Sequence, residues 1–145
     1  MSASIAYLVG KLSLELDRAA DQLLQEHVGI SYRRFLFLTV LQHQGTSTQH
    51  ELAVALGYTD PAVSSMLVEL TKDGYTRTTQ NPQHRRKHLV SITPEGLEVV
   101  AQGRRLLDAH FNQLLELADI DADLYQEFTE RLHQALVLKM KGKNK

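Results

Sequence analysis

Residues 48–94, TQHELAVALGYTDPAVSSMLVELTKDGYTRTTQNPQHRRKHLVSITP, decide the fold. The stretch opens with the spacing of a capping box. The Thr48 hydroxyl can accept from the Glu51 backbone N–H, and the Glu51 carboxylate from that of Thr48. Leu52, Ala53 and Leu56 then make the buried side of a short helix, and Gly57 supplies its left-handed C-terminal turn. A second helix starts almost at once, capped by Thr59 or Asp60, with Pro61 tolerated in its first turn. Two short helices about a tight glycine turn are the helix-turn-helix signature. Gly74 ends the second helix. Tyr75–Gln80 alternates and is rich in Thr, Asn81-Pro82-Gln83-His84 signals a turn, and His88–Thr93 alternates again. These runs predict an antiparallel hairpin around a tip rich in Arg and His. Thr93-Pro94 opens a further helix, with Pro at its first position. The order predicts a mainly α fold with a small β-hairpin wing, a winged helix-turn-helix.

The faces of the helix over residues 59–72 follow from its period. At about 100° per residue, Val63, Met66, Leu67 and Leu70 fall on one side and belong to the core. Pro61, Ser64, Ser65, Val68 and Lys72 fall on the other, with Glu69 at the margin. That outer face is small and modestly polar. It can approach base edges in a major groove, with Ser hydroxyls as hydrogen-bonding groups and Pro61 or Val68 against thymine methyls.

Outside this stretch the chain reads as long helices. Ile5, Leu8, Leu12, Leu16, Ala19, Ala20, Leu23 and Leu24 make one apolar stripe over residues 3–26. Gly29 stands where that helix ends. Ser31 opens another, apolar nearly all round from Phe35 to Val40 and hence central, and Gly45 ends it. From Glu95 on, Leu97, Val100, Leu107, Phe111, Leu114 and Leu115 make a stripe. After a break near Ile120–Ala122, Leu124, Phe128, Leu132, Ala135, Leu136 and Leu138 make another. Residues 1–145 are expected to form one domain. Residues 1–30 and 95–145 would be its helical dimerisation region, their stripes buried against a second copy, and residues 31–94 its DNA-binding lobe.

At 145 residues the chain can bury a full core. A formal net charge of −1 does not mark a nucleic-acid binder, so the distribution of charge decides. Residues 72–88 carry Lys72, Arg77, Arg85, Arg86 and Lys87 against the single acid Asp73. Residues 108–130 carry Asp108, Glu116, Asp119, Asp121, Asp123, Glu127 and Glu130 without a Lys or Arg, and Lys139, Lys141, Lys143 and Lys145 form a basic tail. A basic patch beside an acidic body suits a protein that meets DNA with one surface. The absence of cysteine excludes disulfides, thiolate metal sites and thiol redox sensing. No signal-like segment or bilayer-length apolar run is present, which predicts a cytoplasmic protein with no membrane partner.

The stretches ELAVALGYTDPAVSSMLVELTKDGY and NPQHRRKHLVSITPEG, with the flanking long helices, resemble the MarR family of transcriptional regulators. The likeness covers nearly the whole chain, and the hairpin running into Thr-Pro-Glu-Gly is its most specific part. It implies a homodimer whose two winged lobes bind a pseudo-palindromic operator in double-stranded DNA. It also implies that Thr59, Asp60, Pro61, Ser64 and Ser65 face the major groove and that Arg85 lies near the minor groove. Two-fold symmetry would place half-sites about 10 base pairs apart. Lys72, His84, Arg86 and Lys87 complete the expected DNA-contacting set.

One departure from the family pattern is local. The family's wing commonly carries Asp, any residue, Arg, where this chain has His84, Arg85, Arg86. Without the acid, Arg86 is expected to be free for phosphate, and His84 to make the wing pH-sensitive. The resemblance also implies a small-molecule effector between the dimer helices and the winged lobe. Tyr7, Lys11, Tyr32, Arg33, Phe35 and Phe111 are the candidates to line that cleft.

Two other readings stay open at this stage. A winged-helix module that docks proteins rather than DNA fits the acidic 108–130 segment, though not the basic hairpin. A metal-responsive regulator would need its histidines to converge. The seven of them show no helical ligand pair, and His84 and His88 lie in the wing. No cofactor is called for. A Gly-rich phosphate loop, a cysteine nucleophile and a local metal-ligand motif are all missing, so the chain does not read as an enzyme.

Overall fold

The computed structural model describes residues 2–143, without the side chains of residues 84–86. The order is α1 (Ile5–His27), α2 (Tyr32–Gln44), β1 (Ser47–Thr48), α3 (Gln49–Leu56), α4 (Asp60–Lys72), β2 (Thr76–Asn81), β3 (His84–Ile92), α5 (Pro94–Leu117) and α6 (Ala122–Gly142). The chain forms two compact units, Met1–Leu107 and Asp108–Lys145. Lys145 of the basic tail lies outside the described residues.

In the first unit α2 is the centre, as its all-round apolar pattern predicts. Phe37, Leu38 and Leu41 are fully buried there. Leu24 of α1, Leu52 of α3, Val63 and Leu70 of α4, Val90 of β3 and Val99 and Val100 of α5 close around them. The ends of the two long helices therefore belong to the same core as the helix-turn-helix.

Two α1 carboxylates hold the start of α2. Ser31 caps it by accepting from the Arg34 N–H. Asp21 adds a second acceptor, taking the Tyr32 backbone N–H at 2.9 Å and a Gln25 amide N–H at 2.8 Å. Those bonds favour the ionised form and hold the Asp21 carboxyl below its usual range. The Tyr32 phenol is pushed up, first by burial and then by the charge and hydrogen bond of Asp17. A carboxyl whose folded pKa is depressed contributes stability above the ordinary carboxylate range and loses it as pH falls through the folded value. Asp21→Ala should therefore melt below the wild type at neutral pH. The gap in melting temperature should close as the pH is lowered through that value. A gap independent of pH would show that the carboxylate charge is not what ties α1 to α2.

The wing contains a strand that its sequence did not reveal. Ser47–Thr48 pairs antiparallel with β3, so the sheet has three strands in the order β1-β3-β2. Two residues are too few for an alternating pattern to show. The reversal also differs from expectation. β3 begins at His84, not His88, and the connection is Pro82-Gln83. Pairing is regular from Thr76 opposite Ile92 to Gln80 opposite His88, and then jumps to Asn81 opposite His84. Residues 85–87 thus occupy the register shift on β3, a bulge rather than an open loop.

Thr93 locks the sheet to α5. Its hydroxyl donates to the Gly74 carbonyl at 2.6 Å and accepts the Gly96 N–H at 3.1 Å, while its own N–H donates to the Tyr75 carbonyl at 3.0 Å. Gly96 lies under that junction, and a Cβ there would overlap the Tyr75 carbonyl oxygen and the Ile92 side chain. Further along α5, a Cβ on Gly103 would overlap the Phe35 ring.

The second unit is simpler. Asp121 caps α6 by accepting the Leu124 N–H at 2.9 Å, and the Phe111 and Tyr125 rings meet with centroids 5.8 Å apart. Of the apolar residues of α6, Leu124, Phe128, Leu132, Leu136, Leu138 and Met140 are more than half exposed.

Candidate nucleic-acid interface

The helix-turn-helix forms through the caps its sequence encodes. Both halves of the Thr48–Glu51 capping box are made, and Gly57 takes the left-handed conformation at φ 69° and ψ 28°. Thr59, not Asp60, is the N-cap of α4, accepting the Ala62 N–H, with Asp60 and Pro61 in the first turn. The two faces of α4 divide as its period requires. Val63, Leu67 and Leu70 are buried, while Pro61, Ser64, Ser65, Val68 and Lys72 are exposed. Met66, at the edge of the core face, is half-buried.

The outer surface of α4 is organised by groups from neighbouring helices. The Ser64 hydroxyl donates to Gln49 Oε1 of α3 at 2.8 Å. The Asp60 carboxylate lies 3.2 Å from His50 Nδ1, also of α3. At the other end, Arg34 of α2 pairs with Glu69 and reaches Asp73 at 3.5 Å. Pairs this exposed add at most about 1 kcal/mol to stability. Their larger consequence is electrostatic. Asp60, Glu69 and Asp73 would each repel a phosphate; Glu69 and Asp73 have the Arg34 guanidinium beside them, and Asp60 has the His50 ring. Ser65 faces a different neighbour, lining a groove of about 400 Å³ with Ser31, Arg33, Arg34 and Glu69.

Gln49, His50 and Arg34 were not foreseen as site residues. Polar first-turn residues on α3 and an Arg in the first turn of α2 carry no signal until the helices are packed. Lys87 is exposed on β3, and Arg77 is exposed on the paired strand β2. The side chains of His84, Arg85 and Arg86 lie outside the described residues.

Two of the residues considered for an effector lie in one groove. Tyr7 and Lys11 share an open groove of about 520 Å³ on α1 with Gly10, Leu14, Glu15 and Arg18. Tyr32 is engaged by Asp17, and Arg33 stacks over the Tyr58 ring at 4.7 Å. Phe35 is 6% exposed, a core residue packed in the hydrophobic cluster of α2. Phe111 belongs to the second unit, against Tyr125. Among the described residues no three His, Asp or Glu side chains converge as metal ligands would, and no helix is long and apolar enough to cross a membrane.

Residues 28–87, which hold α2, the helix-turn-helix and the start of the wing, match the sequence model of the MarR family. That stretch is 60 of the 145 residues, and over it the chain is similar to the MarR family. Members of that family are transcription regulators rather than enzymes.

Solved structures agree on the fold. Wild-type apo MarR from E. coli superposes with a TM-score of 0.80 at 23% identity, covering 94% of this chain and 98% of that one. A MarR mutant in complex with operator DNA gives 0.74 at 23% identity, with 91% and 93% covered. BldR from Sulfolobus solfataricus gives 0.76 at 22% identity, with 92% of each chain covered. No curated protein matches the sequence significantly.

Proposed function

We propose that this chain is a DNA-binding transcription regulator of the MarR family that acts in the cytoplasm as a homodimer on a pseudo-palindromic operator and represses by occluding it. α4 enters the major groove, and the basic segment of β3 meets phosphate and the minor groove. The observation that carries this reading is the outer face of α4. It is exposed and built of small residues, and the acids at its ends are paired with Arg34 and His50. An Arg-rich strand on a narrow hairpin beside it suits the electronegative minor groove.

The homodimer is supported by apolar surface that each unit leaves uncovered. Ile5 of α1 is 81% exposed, and Leu132 and Leu138 of α6 are 67% and 71% exposed. Stripes of this size on single helices call for a partner, and a second copy of the same chain is the simplest one. A MarR mutant has been solved with operator DNA, and so has MepR of Staphylococcus aureus with DNA, which favours the same mode here. The Tyr7–Lys11 groove supports control by a small molecule, with Lys11 or Arg18 available to an anionic group. Such a ligand would act by binding one spacing of the recognition helices better than another.

Selection on a random duplex library, repeated across a salt series, tests the reading. An inverted repeat with half-sites about one helical turn apart is the expected result. In the same assay Ser65→Ala should change the preference at one position per half-site while leaving non-specific affinity intact. A mismatch there is worth about 1–3 kcal/mol. Absence of duplex binding at low salt would turn the assignment toward a protein-docking module.

A further inference from the structure

We propose that Gln49, the first residue of α3, belongs to the base-reading surface, where it and Ser64 work as one composite donor–acceptor pair. The proposal rests on the DNA-binding reading above and extends it to a residue outside the recognition helix.

A free serine hydroxyl is an indifferent reader, because its proton can rotate to donate to one base or turn away to accept from another. Ser64 is not free in that sense. Its proton is committed to Gln49 Oε1 at 2.8 Å. The hydroxyl therefore offers lone pairs only, and the Gln49 amide retains both Nε2 protons as donors. Ser64 lies on the exposed face of α4, and Gln49 is half-buried, so the pair is held from the core side and presented at the surface. The Thr48–Glu51 capping box fixes the backbone immediately before Gln49, which limits how far its side chain can wander.

A donor next to an acceptor matches one base edge in the major groove. Adenine shows the N7 acceptor beside the N6 amino donor, so Nε2 can donate to N7 while Ser64 Oγ accepts from N6. Guanine shows N7 and O6, both acceptors, and would set O6 against the serine lone pairs. The hydrogen bond between the two helices thus converts an ambivalent hydroxyl into half of an adenine reader.

The test is library selection with wild type, Gln49→Ala, Ser64→Ala and the double variant, each checked by thermal melting. The wild type should prefer A·T at one position per half-site. Either single substitution should relax that position by roughly ten-fold, and the double variant should be no worse than either single. Gln49→Glu, which keeps an acceptor for Ser64 but has no donor, should fold and lose the same preference. The proposal is overturned if Gln49→Ala keeps the wild-type motif. It is equally overturned if the two single variants relax different positions additively. A wild type that binds no duplex at all sinks the DNA-binding reading, and this proposal with it.

Discussion

Replacing both Arg85 and Arg86 by Ala is expected to weaken duplex binding across all sequences and to flatten its salt dependence. Each phosphate contact releases condensed counterions and contributes a slope of about 0.9 to the logarithm of affinity against the logarithm of salt. Two contacts per wing and two wings per dimer would remove about 3.6 from that slope. Between 50 and 200 mM salt the deficit of the variant should then shrink by roughly a hundred-fold. Base preference should change little, because phosphate contacts position the protein without reading sequence. The backbone argues for the same residues. Residues 85–87 sit in the register shift of β3, where the backbone leaves the regular ladder. Titration of operator and scrambled duplex at several salt concentrations checks this. Unchanged affinity and slope would show that the basic strand does not meet DNA.

Gly96→Ala should produce the largest loss of stability of any single methyl added to this chain. The added carbon would overlap the Tyr75 carbonyl oxygen and stand 2.7 Å from Ile92 Cγ1. Backbone cannot swing aside as the end of a flexible side chain can. The Thr93 hydroxyl, bonded to both Gly74 and Gly96, ties the two sides of the contact together. Overpacking of this kind costs about 1–3 kcal/mol, and the upper part of that range applies where backbone must move. In a chain of this length that is a fall of about 8–12 °C in melting temperature. Gly96 joins β2, β3 and α5, so the strain also falls on the base of the wing. Thermal melting reads the first effect, and operator affinity measured well below the melting temperature reads the second. A melting temperature within a degree or two of wild type would mean that α5 can shift outward at little cost.

The elements legible in the sequence share one property. Thr48 with Glu51, Thr59 with Ala62 and Ser31 with Arg34 are contacts between residues three apart. The helices they start and the glycines that end them were therefore readable along the chain. The period of α4 also placed its core and outer faces correctly, because a helix of known start has only one way to distribute its residues. The Thr-Pro-Glu-Gly segment was readable as a pattern, but its reason was not. Only the packed structure shows a threonine bonded to Gly74 and a glycine pressed against the Tyr75 carbonyl.

What the chain by itself determined, then, is its list of elements, the orientation of each apolar face and the positions of its basic segment. All of these follow from backbone preferences and periodicities that act within about one helical turn. The tertiary structure alone decided what depends on helices crossing. It gave Ser47–Thr48 a strand to pair with, sank Phe35 into the core, and brought His50 to Asp60 and Gln49 to Ser64. It also brought Arg34 to Glu69, 35 residues away. Such pairs leave no trace in local sequence, because charge and hydrogen bonding act through space and the distance is set only when the core closes.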